Sequence, residues 1–116
     1  MITIEHIIFY GNESVVVDMS GISTNLVFEK NGGDLSLLNI SEAVTMRGTV
    51  GGGLSLSGAG TITLSGVVTS ESLDRDAFTG TIDLNGFWFD HPGTIIWVFA
   101  TETNLIETWR ITGGIA

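Results

Sequence analysis

At 116 residues the chain is long enough for one domain with a modest core, and with no cysteine it has neither a disulfide framework nor a thiolate zinc site. Thirteen acidic residues against four basic ones give a net charge of −9. That balance leaves no basic stripe for nucleic acid and disfavours an anionic membrane surface.

The first eleven residues, MITIEHIIFYG, lack a basic n-region and carry Glu5 and His6 among their apolar side chains. They read as a strand running to Phe9 and closed by a Gly11-Asn12 turn, not as a signal peptide. Residues 14–19 (SVVVDM) and 25–29 (NLVFE) are the next two strands, and Asn31-Gly32-Gly33-Asp34 is a strong turn signal. Leu35 and Leu37, then Leu38 and Ile40, alternate with a phase slip between them, which indicates a bulge or a change of face. Val44, Met46 and Val50 follow, separated by Thr45, Arg47 and Thr49.

Gly51-Gly52-Gly53 breaks the pattern without the following lysine and helix of a phosphate loop. Ile62 and Leu64 then alternate with Thr61, Thr63 and Ser65, and Val67-Val68 extends that strand or begins another. Residues 70–77 (SESLDRDA) are the only candidate helix. Ser70 is placed to cap it, Leu73 and Ala77 share a face, and Glu71 sits four before Arg75. A polar loop is the alternative, because eight residues are marginal for a helix.

Ile82 and Leu84 mark a further strand. The aromatic stretch 87–99 (FWFDHPGTIIWVF) reads as two strands joined by the turn Asp90-His91-Pro92-Gly93. Its second strand is apolar on both faces, Ile95, Trp97 and Phe99 on one and Ile96 and Val98 on the other. Leu105, Trp109 and Ile111 line a last strand before a loose tail, 113–116.

About nine or ten short strands with regular turn signals and no βαβ spacing predict a single all-β domain over residues 1–112. The expected architecture is an antiparallel β-sandwich or barrel with at most one short helix. Ile62, Leu64, Ile82, Leu84, Ile95, Trp97 and Phe99 are its expected core. A β-solenoid is the competing fold, because residues 60–66 (GTITLSG) echo residues 80–86 (GTIDLNG). The unequal steps from Gly60 to Gly80 to Gly93 weigh against it, and Gly-Thr is common strand-entry chemistry.

Few residues carry recognisable chemistry. Asp74 and Asp76 with Glu71 have the Asp-x-Asp spacing of a calcium loop but lack its glycine and distal glutamate, so they read as solvated carboxylates. Asp90-His91 has the composition of a general-base pair, yet no serine lies in a nucleophile-elbow context. Asp90 then caps a turn and His91 is exposed; the other histidine is His6. Trp88 and Trp109 are the candidates for a sugar-stacking platform, Trp97 being core. No nucleophile, base and orienter form a set, so the expectation is a non-enzyme without metal or cofactor.

Only 15% of residues are charged, against about 25% in ordinary soluble domains. One lysine and one proline leave the strand edges poorly defended against pairing. Both features point to a structural protein that packs against copies of itself or a larger protein surface. The segment 51–68 (GGGLSLSGAGTITLSGVV) resembles the small β-rich structural proteins of tailed bacteriophages, such as capsid-decoration and tail components. That resemblance implies a homo-oligomeric virion component with no catalysis, and with neither nucleic acid nor membrane as partner. The alternative is a glycan- or small-ligand-binding module. In either case Trp88, Asp90, His91 and Trp109 are the candidate contact residues.

Overall fold

The computed structural model describes residues 1–87, 89 and 90. They form ten strands: β1 (Ile2–Gly11), β2 (Val15–Asp18), β3 (Ile22–Lys30), β4 (Leu35–Ile40), β5 (Ala43–Thr49), β6 (Gly53–Gly58), β7 (Thr61–Thr69), β8 (Ser72–Phe78), β9 (Thr81–Asp83) and β10 (Phe89–Asp90). Odd-numbered strands make one sheet in the order β1-β3-β5-β7, with β9 and β10 both pairing β7. The second sheet runs β2-β4-β6-β8. Every pairing is parallel.

The chain is therefore a β-solenoid. Each of the first four coils supplies one strand to each sheet and lies on the coil before it, and the next supplies β9 and β10 to the first sheet. Ile2 pairs with Ile22, Thr24 with Val44 and Thr61 with Thr81, a repeat of 20 residues, and the offset falls to 18 between Ala43 and Thr61. The antiparallel sandwich or barrel expected from strand spacing is overturned by this register. Asn31-Gly32-Gly33-Asp34 does turn the chain, but it links β3 to β4 across the core rather than joining neighbours in one sheet. The echo between residues 60–66 and 80–86 is a true coil repeat, with Ile62 on Ile82 and Thr63 on Asp83.

Aligned inward residues stack into columns. Val44, Ile62 and Ile82 form one, and Leu26, Met46 and Leu64 another; all six are buried. Leu35 and Leu54 stack in the second sheet, and the rings of Phe9 and Phe28 lie 5.9 Å apart. Four of the expected core residues, Ile62, Leu64, Ile82 and Leu84, are buried; Ile95, Trp97 and Phe99 lie outside the described residues.

The segment 70–77, read from sequence as a candidate helix or a polar loop, is neither: most of it lies in β8, and the described residues contain no helix. Its backbone pairs with β6, Leu54 opposite Leu73 and Gly58 opposite Phe78, and that ladder outweighs a marginal helix signal. The phase slip after Leu37 is a register shift, with Asn39 at φ 58°. Asparagine is among the few side chains that accept this left-handed conformation. Gly58, which pairs with Ile40 at the same irregularity, has φ 120°, and a Cβ there would strike the Ile40 backbone.

Candidate functional site

Of the contact residues expected from sequence, only Asp90 is described; Trp88, His91 and Trp109 lie outside the described residues. Asp90 ends β10, half-buried, and its carbonyl accepts a hydrogen bond from Ser70 N at 2.9 Å. Asp74 and Asp76 lie on β8, where the Asp76 amide donates to Asp74 Oδ1 at 3.2 Å. Among the described residues no three His, Cys, Asp or Glu side chains converge as metal ligands. His6 is exposed on β1 and pairs in register with Asn25.

The outer face of the first sheet carries a polar row, in which Asn25, Thr45 and Thr63 are in register. Thr45 Oγ1 donates to Asn25 Oδ1, and Asn25 Nδ2 donates to the Glu5 carbonyl. A groove of about 520 Å³ beside this row is lined by His6, Ile8, Val27, Glu29 and Arg47 among others. It is open on the sheet surface and brings no nucleophile against a base. In the second sheet, Asp18 accepts hydrogen bonds from Ser20 and from Asn39 Nδ2. These, the Ser20 hydroxyl foremost, hold its carboxyl below the usual range.

The most unusual surface is the open end formed by β1 and β2. Register makes the comparison direct. Ile7 stands over Leu26, Val15 over Leu35 and Val17 over Leu37. The second-coil residues are fully buried, whereas their first-coil counterparts are only half-buried. No coil among the described residues covers them. The outward side chains of the same coil are also apolar: Ile8 is 44% exposed, Val16 67% and Tyr10 76%.

Among the described residues the backbone edge is equally open, because β1 and β2 each terminate their sheet. Ile2 N donates to Gly21 O, and Gly11 O accepts from Asn31 N, so both residues face the second coil. Successive residues of a strand alternate in direction, and the irregularity between Thr3 and His6 resets the phase. Ile7 and Phe9 therefore direct their backbone groups toward β3, and His6, Ile8 and Tyr10 direct theirs away from the molecule.

One charged side chain accompanies this end. Lys30 is buried, and its Nζ donates to the Glu13 carbonyl. Counting along the registers, its corner of the coil is shared with Gly11, Val50 and Ser70. The lysine stem lies in the core and its head reaches the first coil at the Glu13 carbonyl.

Sequence reasoning placed the exposed apolar surface on the aromatic hairpin and missed the first coil. A signal was present: Ile7-Ile8-Phe9-Tyr10 is apolar on both faces, and residues 1–21 contain no lysine, arginine or proline. A parallel β-solenoid whose first coil is left uncovered by the described residues is the class of molecule that fold and surface define. Compared with protein-family models, curated proteins and solved structures, the chain matches none. No helix among the described residues is long and apolar enough to cross a membrane.

Proposed function

We propose that this chain is a non-enzymatic structural protein that works by packing the open end of its solenoid against other protein. The observation that carries the reading is the first coil, where Ile7, Val15 and Val17 are half-buried over fully buried residues of the coil beneath, with a backbone edge that no described strand pairs. An edge strand of ten residues without lysine or proline is a template for strand addition. The net charge of −9 favours a protein partner over nucleic acid. The setting we propose is a virion, as a capsid-decoration or tail component, on the resemblance of residues 51–68.

The test is the mass of the purified chain by light scattering over a range of concentrations, beside the variant Ile8→Pro. Proline removes the outward N–H of Ile8, a position where an edge strand tolerates it. The native chain is expected to be multimeric and the variant monomeric with an unchanged circular dichroism spectrum. A native chain that stays monomeric at every concentration and pairs with no other protein through β1 would defeat the proposal.

A further inference from the structure

We infer that the outer face of the first sheet carries a trough for a neutral linear oligosaccharide, lying along β3 and β5. The groove beside Asn25 and Thr45 has a neighbour. A second groove, of about 380 Å³, runs on past Ser23, Ala43 and Thr63. Both are lined by Asn25 and Thr45, so the two make one trough. From Ser23 to Glu29 along β3 its length is about 20 Å, at ~3.3 Å per residue.

The strands on either side of this floor are irregular. In β1, Ile4 and Glu5 together stand opposite Thr24, between the pairs Thr3 with Ser23 and His6 with Asn25. In β7, Ser65, Gly66 and Val67 stand opposite Arg47, between Met46 with Leu64 and Gly48 with Val68. Extra residues bend a strand and re-aim its side chains. Glu5 and His6 thus line the trough from one side, Thr63 and Ser65 from the other. Arg47 leans toward β7, where a Cβ on Gly66 would lie 3.0 Å from its own Cβ, so the bare glycine gives its stem room.

The polar groups are fixed before any ligand arrives. The Ser23 hydroxyl donates to the Ala43 carbonyl at 2.8 Å, and the Ser65 hydroxyl to the Met46 carbonyl at 3.4 Å. Thr45 Oγ1 donates to Asn25 Oδ1, and Asn25 Nδ2 to the Glu5 carbonyl at 3.0 Å. The protons of these three hydroxyls are used within the protein, which leaves oxygen lone pairs for the ligand. Glu29 adds a carboxylate and Arg47 a forked donor at the same end. A ligand that fits brings many donors along its length and an acceptor for Arg47. Sugar hydroxyls do both, and the apolar surface of Ile8, Val27 and Ala43 between the polar groups suits the C–H faces of a pyranose.

Other occupants fit less well. An extended peptide would bind by strand pairing, but β3 and β5 each have a paired neighbour on both sides. A polyanion would meet Glu5 and Glu29 against Arg47 alone, on a chain of net charge −9. Because the floor lies inside the sheet, the inference is separate from the assembly reading and stands or falls without it.

The test is isothermal titration calorimetry of the full chain with cellohexaose, xylohexaose, maltohexaose and chitohexaose, beside spermine as a polycation and polygalacturonate as a polyanion. The native chain is expected to bind at least one of the neutral sugars. Thr45→Val keeps the side-chain shape but removes the hydroxyl that holds Asn25, and should weaken binding about ten-fold, the size of one lost hydrogen bond. Ala43→Trp fills the trough from an exposed position and should abolish binding, which keeps the test sound if Thr45→Val misfolds. Ser55→Val, on the outer face of the second sheet, should bind as the native chain does. The inference is overturned if no neutral sugar binds, or if only spermine or polygalacturonate does. Sugar binding that survives Ala43→Trp also overturns it, by placing the sugar elsewhere on the chain.

Discussion

Leu64 and Leu38 offer a controlled comparison, because Leu→Ala removes the same atoms at both. Leu64 is fully buried at the end of the column Leu26–Met46–Leu64, with Met46 on one side and the coil of β9 on the other, from which Asn85 Nδ2 donates to the Leu64 carbonyl. Leu38 points outward from β4 and is 37% exposed. Truncating Leu64 removes three carbons at about 0.8 kcal/mol each, near 2.4 kcal/mol. A residual cavity adds to this, because flanking coils held by backbone ladders cannot collapse into it, giving about 3–4 kcal/mol. Leu38→Ala removes surface that is already partly in water and leaves no enclosed void, so its cost should be about 1 kcal/mol. Equilibrium urea denaturation followed by circular dichroism measures both, provided the m-value is unchanged. A Leu64→Ala loss no larger than that of Leu38→Ala would refute the stacked-column description of the core.

Three further outcomes follow from named contacts. Gly58→Ala should lower the melting temperature by several degrees, since φ of 120° and the Ile40 backbone leave no room for a Cβ; an unchanged melting curve would contradict that geometry. The Asp18 carboxyl is depressed by Ser20 and Asn39, so its contribution to stability is present above the unfolded pKa and is lost as pH falls through the lower folded value. In an NMR titration Ser20→Ala should raise the Asp18 midpoint, and an unmoved midpoint would remove Ser20 as the cause. Lys30→Met keeps the buried stem and deletes the ammonium, so it should be neutral or stabilising in thermal denaturation, whereas Lys30→Ala should be clearly destabilising. Equal losses in the two would place the importance of Lys30 in its bond to Glu13.

The strands themselves were legible in the sequence because alternation is a local property. Val44 and Met46, then Ile62 and Leu64, announce inward faces whatever their strands pair with. The phase slip at Leu37–Leu38 was legible for the same reason, since it breaks a local period. Pairing direction was not. Asn31-Gly32-Gly33-Asp34 turns a hairpin or a coil corner equally well, and only tertiary contacts decide which. The repeat was visible at Gly60 and Gly80 but faded elsewhere. Columns conserve volume rather than identity, as Leu26, Met46 and Leu64 illustrate, and offsets of 18 to 21 residues blur the period. The open first coil was hidden because Ile7 and Val15 read as ordinary core residues; their exposure exists only once one knows which coil lies next to them.

Residue-resolved amide hydrogen exchange along β1, repeated as protein concentration rises, tests the central claim most directly. The parallel register requires Ile7 and Phe9, whose amides face β3, to be protected at every concentration. An open, pairing edge requires His6, Ile8 and Tyr10 to exchange freely when dilute and to slow as the chain assembles. Uniform behaviour of all five amides, or outward amides whose exchange ignores concentration, would contradict the account.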